Sequence, residues 1–261
     1  MDFEMREIQG PEEIDELIAL QAAVYGLPPG DTMSPITLSA LTQKYFRTGW
    51  VLGAFRNRKM VGFCIGLATA ENGLVYGHML GVLAEHRDSG LGNRLLKASF
   101  GLYRENGMGR VCWTYEPLEA RNSHLYLNRL GGRCIRYLES HYHVDSGPYH
   151  GMPLDRFLVM LELSKMRDCG SELSSLEEAL TRYPVATFDH RPDAGAVLLE
   201  IPGDFYALKA EDVSSARAWR MNTRTVLMDY VNQRGMAAEA LFSDVQGGER
   251  RCYYLLTGPG Q

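Results

Sequence analysis

An apolar run over 74–83, the loop Arg87-Asp88-Ser89-Gly90-Leu91-Gly92, and an amphipathic stretch with Leu91, Leu95, Ala98 and Leu102 on one face follow one another along the chain. This order constrains the fold more than any other feature. A strand that leads through glycines into a helix lets the main chain approach a ligand closely and leaves the first helical N–H groups without internal partners. Such a place favours an anion: the helix dipole adds about 0.3–1 kcal/mol per charge at an exposed end, and Arg87 and Arg94 supply donors for charge-assisted hydrogen bonds. A glycine pair at a strand–helix turn also arises for steric reasons alone, so the loop has to be read with its surroundings.

Those surroundings exclude two familiar phosphate folds. Gly92 is followed by Asn93-Arg94 rather than by the Lys-Ser/Thr of a nucleoside-triphosphate loop. The apolar runs over 49–55, 60–68 and 74–83 are separated only by Arg56-Asn57-Arg58-Lys59 and Glu71-Asn72-Gly73, which predicts antiparallel strands instead of the parallel crossover of a dinucleotide fold. Upstream, 3–8 reads as a strand, 11–26 as a helix bracketed by Pro11 and Gly26, and 34–48 as a second helix capped by Ser34. Downstream, 110–116 reads as a strand, 119–130 as a helix ended by Gly131-Gly132, and 133–144 and 156–163 as strands.

A polar stretch over 165–172 predicts a boundary between a first domain, 1–165, and a smaller C-terminal domain, 166–261. In the latter, 196–208 is strand-like, 212–234 is helical, and 237–245 and 250–257 flank Gln246-Gly247-Gly248-Glu249 as a hairpin, a β-α-β-β unit. The expected class is therefore α/β (α+β): a mixed, mainly antiparallel sheet flanked by helices, followed by that smaller unit. The 261 residues are 45% hydrophobic with a net charge of -5, and no basic run or long apolar span is present. Nucleic acid and membrane are thus poor partners, and a cytoplasmic location is expected. Five scattered cysteines without a CxxC pair indicate neither a disulfide framework nor a cysteine zinc site.

The stretch from Leu80-Gly81-Val82-Leu83 through Arg87-Asp88-Ser89-Gly90-Leu91-Gly92 resembles the R-x-x-G-x-G motif of the GNAT acetyltransferases, and the element order over 1–165 resembles that fold. The segment Arg121-Asn122-Ser123-His124-Leu125-Tyr126 is similar to a later family helix. The resemblance implies an acyl-CoA cosubstrate, with its pyrophosphate on the loop, its pantetheine arm along Leu80 to Leu83, and Asn122 as a further contact. The family usually has Pro at the position of Ala84 and Gly at that of Asp88, and Tyr126 lies nearer Asn122 than the usual acid tyrosine. The segments 77–82, 113–118 and 155–159 look like a GNAT subgroup with a C-terminal extension, some of whose members are thought to acylate amino acids with acetyl or succinyl groups.

Amine acylation needs a base for the amine proton, donors for the developing oxyanion and an acid for the departing thiolate. His78 and Glu116 are the candidate bases and Tyr126 the candidate acid; each has an ordinary structural reading beside it, as a sheet-face histidine, a solvated strand end and a half-buried tyrosine. His141, His143 and Asp145 alternate, with His150 nearby, as in a metal site, but alternation also places ordinary exposed residues so; they are read as bordering the acceptor pocket with Pro28-Pro29-Gly30, and no metal is expected. The C-terminal unit either packs on the first domain or supplies a homodimer contact; a degenerate second GNAT-like half lacks the support of a second R-x-x-G-x-G loop after residue 165. Two functions follow: an acyltransferase acting on a small amine such as an amino acid, and a non-catalytic acyl-CoA sensor. Asp88 and the position of Tyr126 point to the sensor, the usual use of such a fold to the enzyme.

Overall fold

The antiparallel reading of the early apolar runs holds in the computed structural model, which describes residues 3–43, 45–142, 151–166 and 175–259. Two compact units divide between Trp113 and Thr114. The first contains β1 (Glu4–Glu7), α1 (Gly10–Tyr25), α2 (Pro35–Thr42), β2 (Gly49–Arg56), β3 (Lys59–Ala68), β4 (Leu74–Val82) and α3 (Leu91–Glu105), and most of β5 (Arg110–Tyr115). Its strands lie in the order β1-β2-β3-β4-β5, the first four antiparallel and β5 parallel to β4.

Local chemistry sets the element ends. Gly26 adopts φ 63° at the end of α1, a conformation that glycine enters without a Cβ clash. Ser34 accepts a hydrogen bond from the Thr37 N–H at 3.2 Å and so caps α2. That helix stops at Thr42 rather than at 48, because the Gln43 side-chain oxygen accepts from the N–H groups of Tyr45 (2.7 Å) and Phe46 (3.2 Å) and turns the chain. Ile14, Leu17, Leu38, Phe55, Phe63 and Ile65 form one apolar cluster, each fully buried side chain contributing about 1.5–3 kcal/mol. α3 buries Leu91, Leu95, Leu96, Phe100 and Tyr103, so its inner face is turned from the expected one and Ala98 and Leu102 are only half-buried.

The second unit holds α4 (Ala120–Ser123), which runs into a wide π-helical turn over His124–Arg129, then β6 (Arg133–Tyr142) and β7 (Leu154–Glu162). After these come α5 (Leu176–Arg182), β8 (Val185–Ala186), β9 (Ala196–Ile201), α6 (Phe205–Glu211), α7 (Val213–Leu227) with a π-helical turn over Met228–Gln233, β10 (Ala237–Gln246) and β11 (Glu249–Thr257). The strand-like reading of 196–208 ends at Ile201, since Asp204 caps α6 by accepting from the Ala207 N–H at 2.9 Å. Strand order is β7-β6-β10-β11-β9-β8.

The order has an internal symmetry. A helix with a π turn leads into a strand pair twice, as α4–β6–β7 and as α7–β10–β11, and the two leading strands meet at Ala238 and Cys134. Each π turn carries an asparagine that grips the other copy's strand. Asn128 donates to Leu241 O (2.8 Å) and accepts from its N–H (2.9 Å); Asn232 donates to Tyr137 O (2.8 Å) and accepts from its N–H (2.9 Å). A side-chain amide matches a peptide group donor for acceptor, so each asparagine completes the strand residue just past a slip in register, which falls at 238/240 in β10 and at 134/136 in β6. No described helix is long and apolar enough to cross a membrane.

Candidate functional site

β4 pairs with β5 from Leu74 opposite Arg110 to Gly77 opposite Trp113, and the pairing stops there. On its other side the register against β3 slips between Ile65 opposite Met79 and Gly66 opposite Gly77, which leaves His78 as the extra residue of a β-bulge. The bulge re-aims His78 just where β4 loses its neighbour. The residue is only partly covered, but its ring, 6.3 Å from that of Tyr76, is packed closely enough by protein to disfavour the imidazolium and lower its pKa from 6.5. Neutral imidazole is the proton-accepting form.

Beyond the bulge, the Leu83 N–H donates to Val61 O at 3.0 Å, so residues 81 and 83 address β3. Alternation then turns the peptide groups of Leu80 and Val82 to the open side. The chain next enters the loop. Asp88 has φ 62° and Gly90 φ 77°, and Gly90, the residue before α3, has no side chain with which to cap it. A Cβ on Gly90 would meet nothing within 4 Å; one on Gly92 would point at Leu80 and Val82, 3.9 Å away. The uncapped helix start thus follows the open strand edge directly along the chain, with Gly92 lying against the side chains of Leu80 and Val82. Ser89 donates to His86 O at 2.6 Å and closes the turn, while Arg87 reaches Val82 O (3.2 Å) and Val24 O (3.3 Å). The buried side-chain oxygen of Asn93, in the first turn of α3, has no partner among the described residues. An acceptor without a donor beside an uncapped helix start suits a ligand carrying both phosphate and N–H or O–H groups.

The remaining predicted residues belong to the second unit. Glu116 is 8% exposed; it forms a charged hydrogen bond with Arg220, lies 3.5 Å from Arg156 Nη1, and accepts from the Leu118 N–H at 3.0 Å. It is not the solvated strand end of the sequence reading, and proton acceptance there would come at the expense of these contacts. Tyr126 is buried in the π turn, its ring edge-on to Tyr115 at 5.1 Å. Asn122 is half-buried in α4. A concavity of about 300 Å³ lined by Ile8, Leu41, Phe46 and Arg47 includes none of the predicted site residues.

Residues 15–131 match the model of the acetyltransferase (GNAT) family. That segment is similar to the GNAT acetyltransferases. Solved structures with the same fold include the ribosomal-protein-S18-alanine N-acetyltransferase of Escherichia coli, 16% identical with a TM-score of 0.51, the alignment covering 66% of this chain and 99% of that one. A putative GNAT acetyltransferase from Desulfovibrio desulfuricans is 17% identical with a TM-score of 0.52, and a probable acetyltransferase from Staphylococcus epidermidis is 10% identical with a TM-score of 0.53; each alignment covers 62% of this chain and 99% of the other. At these identities the likeness shows the fold. No curated protein sequence matches the chain.

Within the matched segment the departure at Asp88 has a conformational reason. The position requires a left-handed backbone, which glycine adopts freely and aspartate better than most other residues. The sequence reading missed Tyr25 and Asn93. Tyr25 closes α1 and donates its hydroxyl to Leu80 O at 2.7 Å, a contact across 55 residues that no helical spacing announces. Asn93 was visible only as the residue standing where a Walker lysine is absent. His143, Asp145 and His150 lie outside the described residues; among those described, no group of three His, Cys, Asp or Glu is placed to hold a metal ion.

Proposed function

We propose that this chain is an acyl-CoA-dependent N-acyltransferase that transfers an acetyl or succinyl group to a small amine such as an amino acid. The observation that carries the reading is the opening of β4 from β5 at the His78 bulge, directly before the uncapped N-terminus of α3. Backbone groups of the loop from Arg87 to Gly92 would hold the pyrophosphate, and the outward peptide groups of Leu80 and Val82, with Gly81 and Leu83 between and after them, the pantetheine arm. Asn122 would add a contact.

Acyl-CoA supplies an activated thioester carbonyl, which an amine attacks with departure of the thiolate. His78, neutral near pH 7, takes the amine proton directly or through one water. We assign Glu116 a structural role in the second unit, because its carboxylate is already held by Arg220, Arg156 and a main-chain N–H. Tyr126 stays the proposed acid, and Tyr126→Phe should lower kcat without changing donor affinity.

Calorimetric titration with acetyl-CoA, succinyl-CoA and CoA tests the donor site, followed by thiol release with a panel of amino acids. Micromolar binding that Gly90→Asp/Gly92→Asp abolishes, with turnover on some amine, supports the enzyme. Binding without turnover on any amine turns the reading to an acyl-CoA sensor, and no binding sinks both.

A further inference from the structure

Both outward carbonyls of the open β4 edge are engaged by the protein's own side chains. Tyr25 donates to Leu80 O at 2.7 Å, and Arg87 donates to Val82 O at 3.2 Å while its other arm reaches Val24 O at 3.3 Å. The last turn of α1 is therefore tied to the strand edge at two adjacent residues. Gly81 permits the approach: a Cβ there would lie 2.4 Å from the Phe63 ring and 3.1 Å from Val24, and the Tyr25 ring meets that of Phe63 edge-on at 6.4 Å.

Resting on the donor site proposed above, we propose that Tyr25 is a stand-in for the pantetheine arm. Its hydroxyl occupies the Leu80 carbonyl when no donor is bound and surrenders that acceptor to a pantetheine amide N–H. A carbonyl oxygen can accept two hydrogen bonds, but an amide arriving along the open edge approaches from the side where the hydroxyl already stands at 2.7 Å, so the two compete for that approach. The hydroxyl then leaves the strand, and the last turn of α1, with the 26–34 connection behind it, loses one of its two ties to β4. Tyr25 is thus a positioning residue that lowers donor affinity and couples donor arrival to the end of α1.

The hydrogen bond that the donor must displace corresponds to about 2- to 10-fold in affinity. Tyr25→Phe is accordingly expected to bind acetyl-CoA 2- to 10-fold tighter by calorimetry, while the unliganded variant, which lacks the same hydrogen bond, melts a few degrees lower than the wild type. Adenosine 3′,5′-bisphosphate, which has no pantetheine, should bind variant and wild type alike. Equal or weaker acetyl-CoA binding by a folded Tyr25→Phe, with the wild type binding normally, overturns this inference and leaves the donor site standing; a wild type that does not bind acetyl-CoA removes both. A second measurement needs no variant. In hydrogen exchange of the wild type, acetyl-CoA should slow β4 and the first turn of α3 while speeding the last turn of α1, and slowing of all three contradicts the competition.

Discussion

Asp88 sits in the left-handed region at φ 62° beside a helix start that favours anions, so both its backbone and its charge oppose the use proposed for the loop. Asp88→Gly should therefore stabilise the fold by up to about 1 kcal/mol and tighten acyl-CoA binding. Urea denaturation and calorimetry check the two effects separately, and weaker binding by the glycine variant would show that the Asp88 side chain assists the loop. His78 offers a pH test. Burial lowers its pKa from 6.5, so the imidazole stays neutral through pH 7, and kcat/KM should fall on acidification with an apparent pKa below 6.5. Replacing it in His78→Gln should cost about 10²- to 10⁴-fold in kcat and erase that limb; a retained limb assigns the titration elsewhere. The same shift acts on stability with one sign: the unfolded chain binds the proton more readily, so the histidine's contribution is present above pH 6.5 and is lost as the pH falls through the lower folded value.

Among the elements, the two π turns depend most on single side chains. Asn128 and Asn232 each make a paired contact with a peptide group of a strand, and alanine at either position leaves a strand N–H and C=O to find other partners. Asn128→Ala and Asn232→Ala should each cost about 1–3 kcal/mol in chemical denaturation. Near-equal losses are expected because the two contacts repeat one arrangement; a loss confined to one would mean that the repetition is geometric only. These asparagines do not stand out in the sequence. The capping box that starts α5 does: Ser175 and Glu178 stand three apart around Leu176, with Ala179 of the core following, a local signal just beyond the polar stretch over 165–172.

At the scale of the molecule, the second unit encloses a charged cluster. Asp155, fully buried, accepts from Arg224 through Nε (2.9 Å) and Nη2 (2.7 Å), from the Tyr137 hydroxyl and from the Ser140 N–H (2.9 Å); Arg220, 1% exposed, binds Glu116. Burial alone would lower the Arg220 pKa, but Glu116 and Asp155 together raise it, and burial and Asp155 raise that of Tyr137. Arg220→Met leaves the Glu116 carboxylate buried without its closest cation and should destabilise by about 3–5 kcal/mol, with Glu116→Gln/Arg220→Met recovering part of the loss. Additive losses in the double variant would show that the pair is not coupled.

The strand–loop–helix order, the antiparallel strands before it and the family resemblance were legible in the residues themselves, because hydrophobic periodicity, turn residues and glycine positions are local properties that survive without knowledge of what packs where. Tertiary structure alone decided the rest. The β4 opening at His78 depends on which strand lies beside β4, and the tie from Tyr25 to Leu80 spans 55 residues. Glu116 read as an exposed strand end because Arg220, 104 residues away, leaves no mark near it. The repeated helix–strand–strand arrangement about β6 and β10 likewise escaped a search for a second glycine loop, since it is carried by strand order and two distant asparagines. Periodicity tells a chain which face to bury; only folding selects the surface it is buried against.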